Sequence, residues 1–335
     1  MRILYNYNCP RCWRVVLGSV LALGIVSLVM LATTALTPRY SAYLLRSLEG
    51  PIPQDDPELL HFLINQVLEP PSTDPYNLLG KNNIALQGVD DSEVFYKMQI
   101  QKIFAEKTDG WFLEAGALDG ETMSNTIWLE KERGWTGLLV EADPHDYEAL
   151  KEKQRKAWSA NCCLAPNPYP SKMTFTDHSH YAGPMAVSLG FKMRAMHALS
   201  NYVEKIDLGN SWFRRVQCIP LPSILSALKV SHLDLFSLDV EGAEMDILAT
   251  LDFNKIEVDV LFLEWKRIPV IEEQYKVIKE LETKGMVKYL VFKEDLIFFR
   301  KGSSYHKRME QDLKPVSQMY VVEEVKKYRK KFNIS

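Results

Sequence analysis

FLEAGALDGETMSNTIWLEKERGWTGLLVEAD, residues 112–143, decides the fold. An apolar run ends on an acid, Glu114. Gly116 follows, then the pair Asp119–Gly120, then a stretch, ETMSNTIWLEKER, whose pattern predicts a helix. A second apolar run, GLLVEAD, ends on another acid, Glu141. Two apolar runs joined by a helical one make a strand–helix–strand unit with an acid at each strand tip. Glycine after the first tip lets the backbone turn tightly and approach a ligand.

Working outward, the alternation continues. PHDYEALKEKQRK predicts a helix with Pro144 at its start, and WSANCCLA a third strand. Residues 165–214 are irregular, with a hairpin strand expected at SKMTFTD. VQCIPL is extended and leads into the helix PSILSALK. LDLFSLDV, the helix AEMDILATL, VDVLFLEW and the helix IEEQYKVIKELETKG follow, and MVKYLVF and DLIFFR close the series as a hairpin. Apolar strands alternating with helices imply an α/β fold, a mostly parallel sheet covered on both faces. Ligands of such sheets bind at the carboxyl ends of the strands.

Those ends carry the chemistry. Glu114, Gly116, Asp119 and Gly120 form the first loop, which lacks a GxGxxG dinucleotide fingerprint. Glu141 is placed to accept two hydrogen bonds from a ribose diol, as an acid at the second strand tip does in nucleotide folds. In SLDVEGAEMDIL, Asp239 and Glu241 are two apart, so in extended chain both point to one side. They can hold a substrate hydroxyl, a metal or a cofactor ammonium, but no full metal-ligand set accompanies them. Glu244 and Asp246 read as favourable charges in a helix's first turns. Glu264 ends the next strand and either lines the same cleft or pairs with Lys266 or Arg267. His178 and His180 read as surface histidines rather than half a metal site.

The N-terminal part differs in kind. Residues 15–37 hold no charged side chain, and about 20 apolar residues span a bilayer. The flanks, with Arg2, Arg11 and Arg14 before and Arg39 and Arg46 after, favour a short cytosolic tail and a lumenal body. A cleaved signal peptide is the alternative. Cys9 and Cys12 suit acylation better than half a zinc site. In a lumenal body the three remaining cysteines allow one disulfide, Cys163–Cys218, against three reduced, buried thiols. DDPELLHFLINQVL predicts a helix capped by Asp55 or Asp56, and a second helix is expected from Ser92 to about Lys107. The basic run KKYRKKF reads as a flexible tail. The net charge of -3 gives no support for a nucleic-acid partner.

Taken together, residues 112–150, the NCCL strand and IPLPSILSALKVSHLDLFSLDVEGAEMDIL resemble the FkbM-type methyltransferase domain. The versions EAGALDGE, SNT and RKAW, after a membrane span and a PYNL segment, look most like the membrane-anchored animal Star family. The resemblance implies a class I methyltransferase (Rossmann-like) fold with S-adenosylmethionine as cofactor. It implies Glu114, Gly116, Asp119 and Gly120 beside the methionine part, Glu141 on the ribose, and Asp239 near the methyl-transfer point; for methyl transfer, the acid pair itself offers Asp239 or Glu241 as the base or the group that holds the acceptor hydroxyl. The organisation expected is a cytosolic tail (1–14), a signal anchor (15–37), a stalk and approach segment (38–91), the methyltransferase-like domain (92–305) and a basic C-terminal helix or tail (306–335). Two functions fit: O-methyl transfer to an acceptor the sequence does not name, or a non-catalytic role in exporting membrane-bound growth-factor precursors from the endoplasmic reticulum. Both place a single-pass protein in the endoplasmic reticulum, Golgi or endosomal membrane, with membrane-protein cargo as a partner of the second.

Overall fold

The computed structural model describes residues 52–79, 91–178, 196–199, 211–265, 270–310 and, near the C-terminus, 322–323, 325–327 and 329–330. All belong to one unit, 46–335. The span expected at 15–37, Cys9, Cys12 and His180 lie outside these residues, as does the side chain of His178. Among the described residues no helix is long and apolar enough to cross a membrane.

The chain runs α1 (Pro57–Gln66), β1 (Leu68–Glu69), α2 (Asp91–Ile103), β2 (Trp111–Ala115), α3 (Ile127–Arg133), β3 (Thr136–Glu141), α4 (Pro144–Glu152), β4 (Trp158–Asn161) and β5 (Cys163–Leu164). It continues through β6 (Ser171–His178), β7 (Met196–Leu199), β8 (Ser211–Ile219), α5 (Leu221–Leu228), β9 (His232–Leu238), α6 (Glu244–Ala249), β10 (Glu257–Glu264), α7 (Val270–Thr283), β11 (Met286–Phe292), β12 (Asp295–Arg300) and α8 (Ser304–Met309). The large sheet has the order β1-β4-β3-β2-β9-β10-β12-β11. Its middle, β4-β3-β2-β9-β10, is parallel throughout. β12 runs antiparallel to β10, and β11 and β12 make the expected hairpin. β1 adds an antiparallel pair on β4 at the other edge, which the sequence pattern did not suggest.

Burial explains the pattern. β2, β3, β9 and β10 are buried along nearly their whole length, as strands covered on both faces must be. The chain moves outward from β2 to β4, then returns to lay β9 beside β2 on the other side. That reversal is a topological switch point, and it opens a crevice at the carboxyl ends of β2 and β9. Helix starts follow the sequence: Asp56 caps α1 and Asp143 caps α4, each before a proline.

Four expectations change. The helix foreseen over residues 121–133 begins only at Ile127, because residues 124–126 bond to Glu114 instead. The single strand foreseen at WSANCCLA divides at Cys162: β4 stays in the large sheet while β5 joins a second sheet, β5-β8-β6-β7. Helix α2 spans residues 91–103 rather than 92 to about 107. The basic run is not a free tail at its described positions. Val325 is buried in the core, and Arg329 pairs with Asp91 at the start of α2 at 2.9 Å.

The disulfide joins Cys163 to Cys218, which are register partners on β5 and β8. Cys162 is a buried free thiol, pushed up to about 12 by burial and by the nearby Glu141. A thiol so disfavoured as thiolate is unreactive. The bridge closes a 55-residue separation. Cys218→Ser is therefore expected to lower unfolding free energy by about 2–4 kcal/mol, measured by urea denaturation of the oxidised chain. Reduction of the wild type should have the same effect.

Candidate functional site

The loop after β2 is held by the acids that precede and open it. Glu114, buried, accepts hydrogen bonds from Ser124 Oγ at 2.9 Å, from Asn125 N at 2.6 Å and from Thr126 Oγ1. Asp119 accepts from Glu121 N at 3.1 Å, Thr122 N at 2.7 Å and Thr122 Oγ1 at 2.9 Å. These bonds show both carboxylates shaping the loop. Gly116 has φ +87°, and a Cβ there would lie 2.0 Å from the Asp239 carbonyl oxygen. The close approach read for this glycine is therefore to β9's end, not only to a ligand. Asp239 N donates to Ala115 O, and Gly116 N and Ala117 N to Val140 O, each at 3.1 Å. Three strand ends are thus bonded into one floor. Gly120 also lies at positive φ, +74°. Leu118 and Met123 are left-handed too, a conformation that side chains adopt only when surrounding contacts impose it.

Glu141 differs from Glu114 in what it leaves open. It is buried at the tip of β3, its Oε2 accepting from Leu118 N and its Oε1 from Asp143 N, both at 2.7 Å. Burial pushes its carboxyl up to about 8, against the opposing pull of those N–H groups. A carboxylate oxygen has two acceptor sites, so one bond to each oxygen leaves one further site on each. Two such acceptor sites match the two hydroxyl donors of a vicinal diol.

At the end of β9 the picture departs from the sequence reading. The strand stops at Leu238, and Glu241 is left-handed at φ +60°. The chain is not extended from 239 to 241, so the alternation that put Asp239 and Glu241 on one side does not apply. Both are partly buried just past the end of β9. Glu244 stands in the first turn of α6 as read, and it is also buried; its Oε1 accepts from Val240 N at 3.2 Å and Gly242 N at 2.8 Å. Burial raises it to about 7. Glu264 ends β10 in register with Asp295 on β12.

Tyr96 on α2 was missed. Its ring stacks on Phe262 at 5.1 Å, and its hydroxyl bonds to Asp295. Burial first, then the charges of Asp295, Glu264 and Asp239, hold the phenol well above its ordinary range. It is therefore a hydrogen-bond donor at this edge, not a base. Nothing in its spacing separates it from the core aromatics of the same helix.

Arg155 was also missed as a site residue. It lies buried just before β4, behind the loop. Its Nε pairs with Glu130 Oε2 at 3.0 Å, and its terminal nitrogens donate to Gly120 O, to Ser124 Oγ at 3.3 Å and to Thr126 Oγ1 at 3.1 Å. Burial raises the Glu114 carboxyl, while Arg155 is the largest influence pulling it down. The signal was a lone arginine in RKAW, far from its partners in sequence.

One further cluster has metal-like spacing: ligand atoms of His232, Asp234 and Asp259 lie within 4.8 Å of one another. It sits at the amino ends of β9 and β10, opposite the crevice. Arg300 bonds Asp259 at 2.7 Å and His232 at 3.1 Å does the same, while Tyr305 and Trp111 N bond Asp234. The cluster is an ion-pair brace.

With the site assembled, the family is evident: the chain belongs to the methyltransferase FkbM domain family, whose model matches residues 114–311, more than half of it. Similar solved structures include methyltransferase FkbM from Methylobacillus flagellatus KT, 12% identical with a TM-score of 0.35 over 57% of this chain and 43% of that one. Another is a TehB-like SAM-dependent methyltransferase from Corynebacterium glutamicum, 14% identical with a TM-score of 0.33 over 65% of this chain and 93% of that one. No curated protein matches the chain.

Removing the buried guanidinium strands Glu130 in the interior and takes the nearest opposite charge from Glu114. Arg155→Met is expected to cost about 3–5 kcal/mol of stability, read by chemical denaturation. Arg155→Lys should recover only part of it, since an ammonium cannot reproduce the planar fork.

Proposed function

We propose that the chain is an S-adenosylmethionine-dependent methyltransferase whose cofactor lies across the carboxyl ends of β2, β3 and β9. The observation that carries this is Glu141, a buried strand-tip carboxylate with one unused acceptor site on each oxygen, beside a loop already fixed in shape. In this reading Glu141 takes the two ribose hydroxyls, and the backbone of residues 116–120 lies along the methionine part. Glu114 and Asp119 contribute by holding that backbone. When bound, S-adenosylmethionine supplies a methyl group on a sulfonium centre. The chain's part is to align an acceptor and remove its proton; proximity of this kind can supply ~7–11 kcal/mol. Asp239 and Glu241, just past the end of β9, hold and deprotonate an acceptor hydroxyl. Membership of the family supports the activity. The disulfide supports a body in an oxidising compartment, in keeping with the anchor read at residues 15–37.

Titration calorimetry of the full chain with S-adenosylmethionine tests the reading. Binding is expected, and Glu141→Ala should abolish it. A diol donates to the ionised carboxylate, so wild-type affinity should rise as pH increases through about 8, where Glu141 loses its proton. Glu141→Gln should lack that rise. No binding to a folded wild type would refute the proposal.

A further inference from the structure

Residues 72–79 lie outside the family match, yet they run against the back of the proposed cofactor loop. We propose that this segment is a strap whose Tyr76 and Leu79 are positioning residues for the loop 116–126; the inference rests on the cofactor reading above for the loop's purpose. Two arms carry it. In the first, Leu79 N donates to both carboxylate oxygens of Glu121, at 2.8 and 3.0 Å. Glu121 follows Gly120 directly, and it also pairs with Lys153 at 2.8 Å. Asn77 fastens the same stretch, donating from its backbone to Lys153 O at 3.1 Å and from its side chain to Glu152 O at 3.0 Å.

In the second arm, the Tyr76 hydroxyl faces the Glu130 carboxylate, the partner of Arg155. The Tyr76 ring lies under Lys156 Nζ, 5.0 Å from its centroid, and Lys156 N donates to Glu130 Oε1 at 2.6 Å. Lys156 Nζ also reaches the carbonyls of Ser72 and Asp74, while Ser72 N donates to Arg155 O at 3.0 Å. Glu130 is thereby fixed from the strap side, and Glu130 orients the guanidinium that holds Gly120, Ser124 and Thr126. The first arm ends on the loop itself at Glu121, and the second ends on Glu130 of α3, which acts on the loop through Arg155; neither ends on the strands beneath the loop. A segment used only to cover the sheet edge would have no reason to spend polar contacts there.

The test is hydrogen exchange of the full chain, wild type against Leu79→Pro and Tyr76→Phe, with S-adenosylmethionine affinity measured on the same samples. Leu79→Pro deletes the one donor of the first arm; Tyr76→Phe keeps the ring over Lys156 and deletes only the hydroxyl. In each variant, amides bonded within the loop (Glu121, Thr122 and Asn125) should exchange about ten-fold faster or more, with β2 and β3 unchanged. Affinity should weaken by about ten-fold in parallel. Loop amides at wild-type rates in both variants would overturn the proposal, and so would acceleration spread equally over β2 and β3, which marks general loosening. A wild type that binds no S-adenosylmethionine would refute the cofactor reading, and the exchange rates alone would then decide for or against the strap.

Discussion

A guanidinium sealed from solvent must be surrounded by acceptors, or the interior does not tolerate it. Arg155 meets that demand with Glu130 on one side and the loop 120–126 on the other. The pair is almost wholly inaccessible, with side chains 2% and 0% exposed. A buried ion pair of this kind adds little net stability, but it is intolerant of any geometry in which one member is unpaired. The loop's carbonyl and hydroxyls therefore have to be where Arg155 is. The shape of the crevice floor follows from that constraint.

The constraint also divides the acids at the strand tips by role. Glu114 and Asp119 face the loop and hold it from within. Glu141 closes the same loop through Leu118 N but keeps acceptor capacity in reserve. Gly116 completes the join by admitting the Asp239 carbonyl where any side chain would collide. The switch point between β2 and β9 places these groups together, and the ion pair fixes them. A pre-shaped floor loses little conformational entropy when a ligand arrives, which favours binding.

Much of this was legible in the sequence, for local reasons. Apolar runs closed by acids mark the parallel strands, and the prolines after Asp56 and Asp143 mark two helix starts. Close apolar runs mark the final hairpin, and Cys163 and Cys218 fall on neighbouring strands. What was not legible depends on distant partners. Arg155 meets residues 25 to 35 positions away, and Glu121 meets a backbone N–H 42 positions earlier. Glu241 defeats the extended-chain argument because the strand ends sooner and the backbone turns left-handed. Glu244 follows helix-start rules in sequence yet turns inward to serve the turn before it. Residues 121–126 look helical until Asp119 takes the donors of 121 and 122 and Glu114 those of 124–126. For Arg155, Glu121 and residues 124–126, hydrogen bonds to side chains or backbone well away in sequence outweigh local preference, and such bonds leave no periodic trace.

Photo-crosslinking of labelled S-adenosylmethionine to the full chain, followed by peptide mapping, tests the central claim most directly. The account predicts label within residues 111–145 or 239–246, displaced by unlabelled S-adenosylhomocysteine. Label confined to other segments, or label that the competitor does not displace, would contradict it.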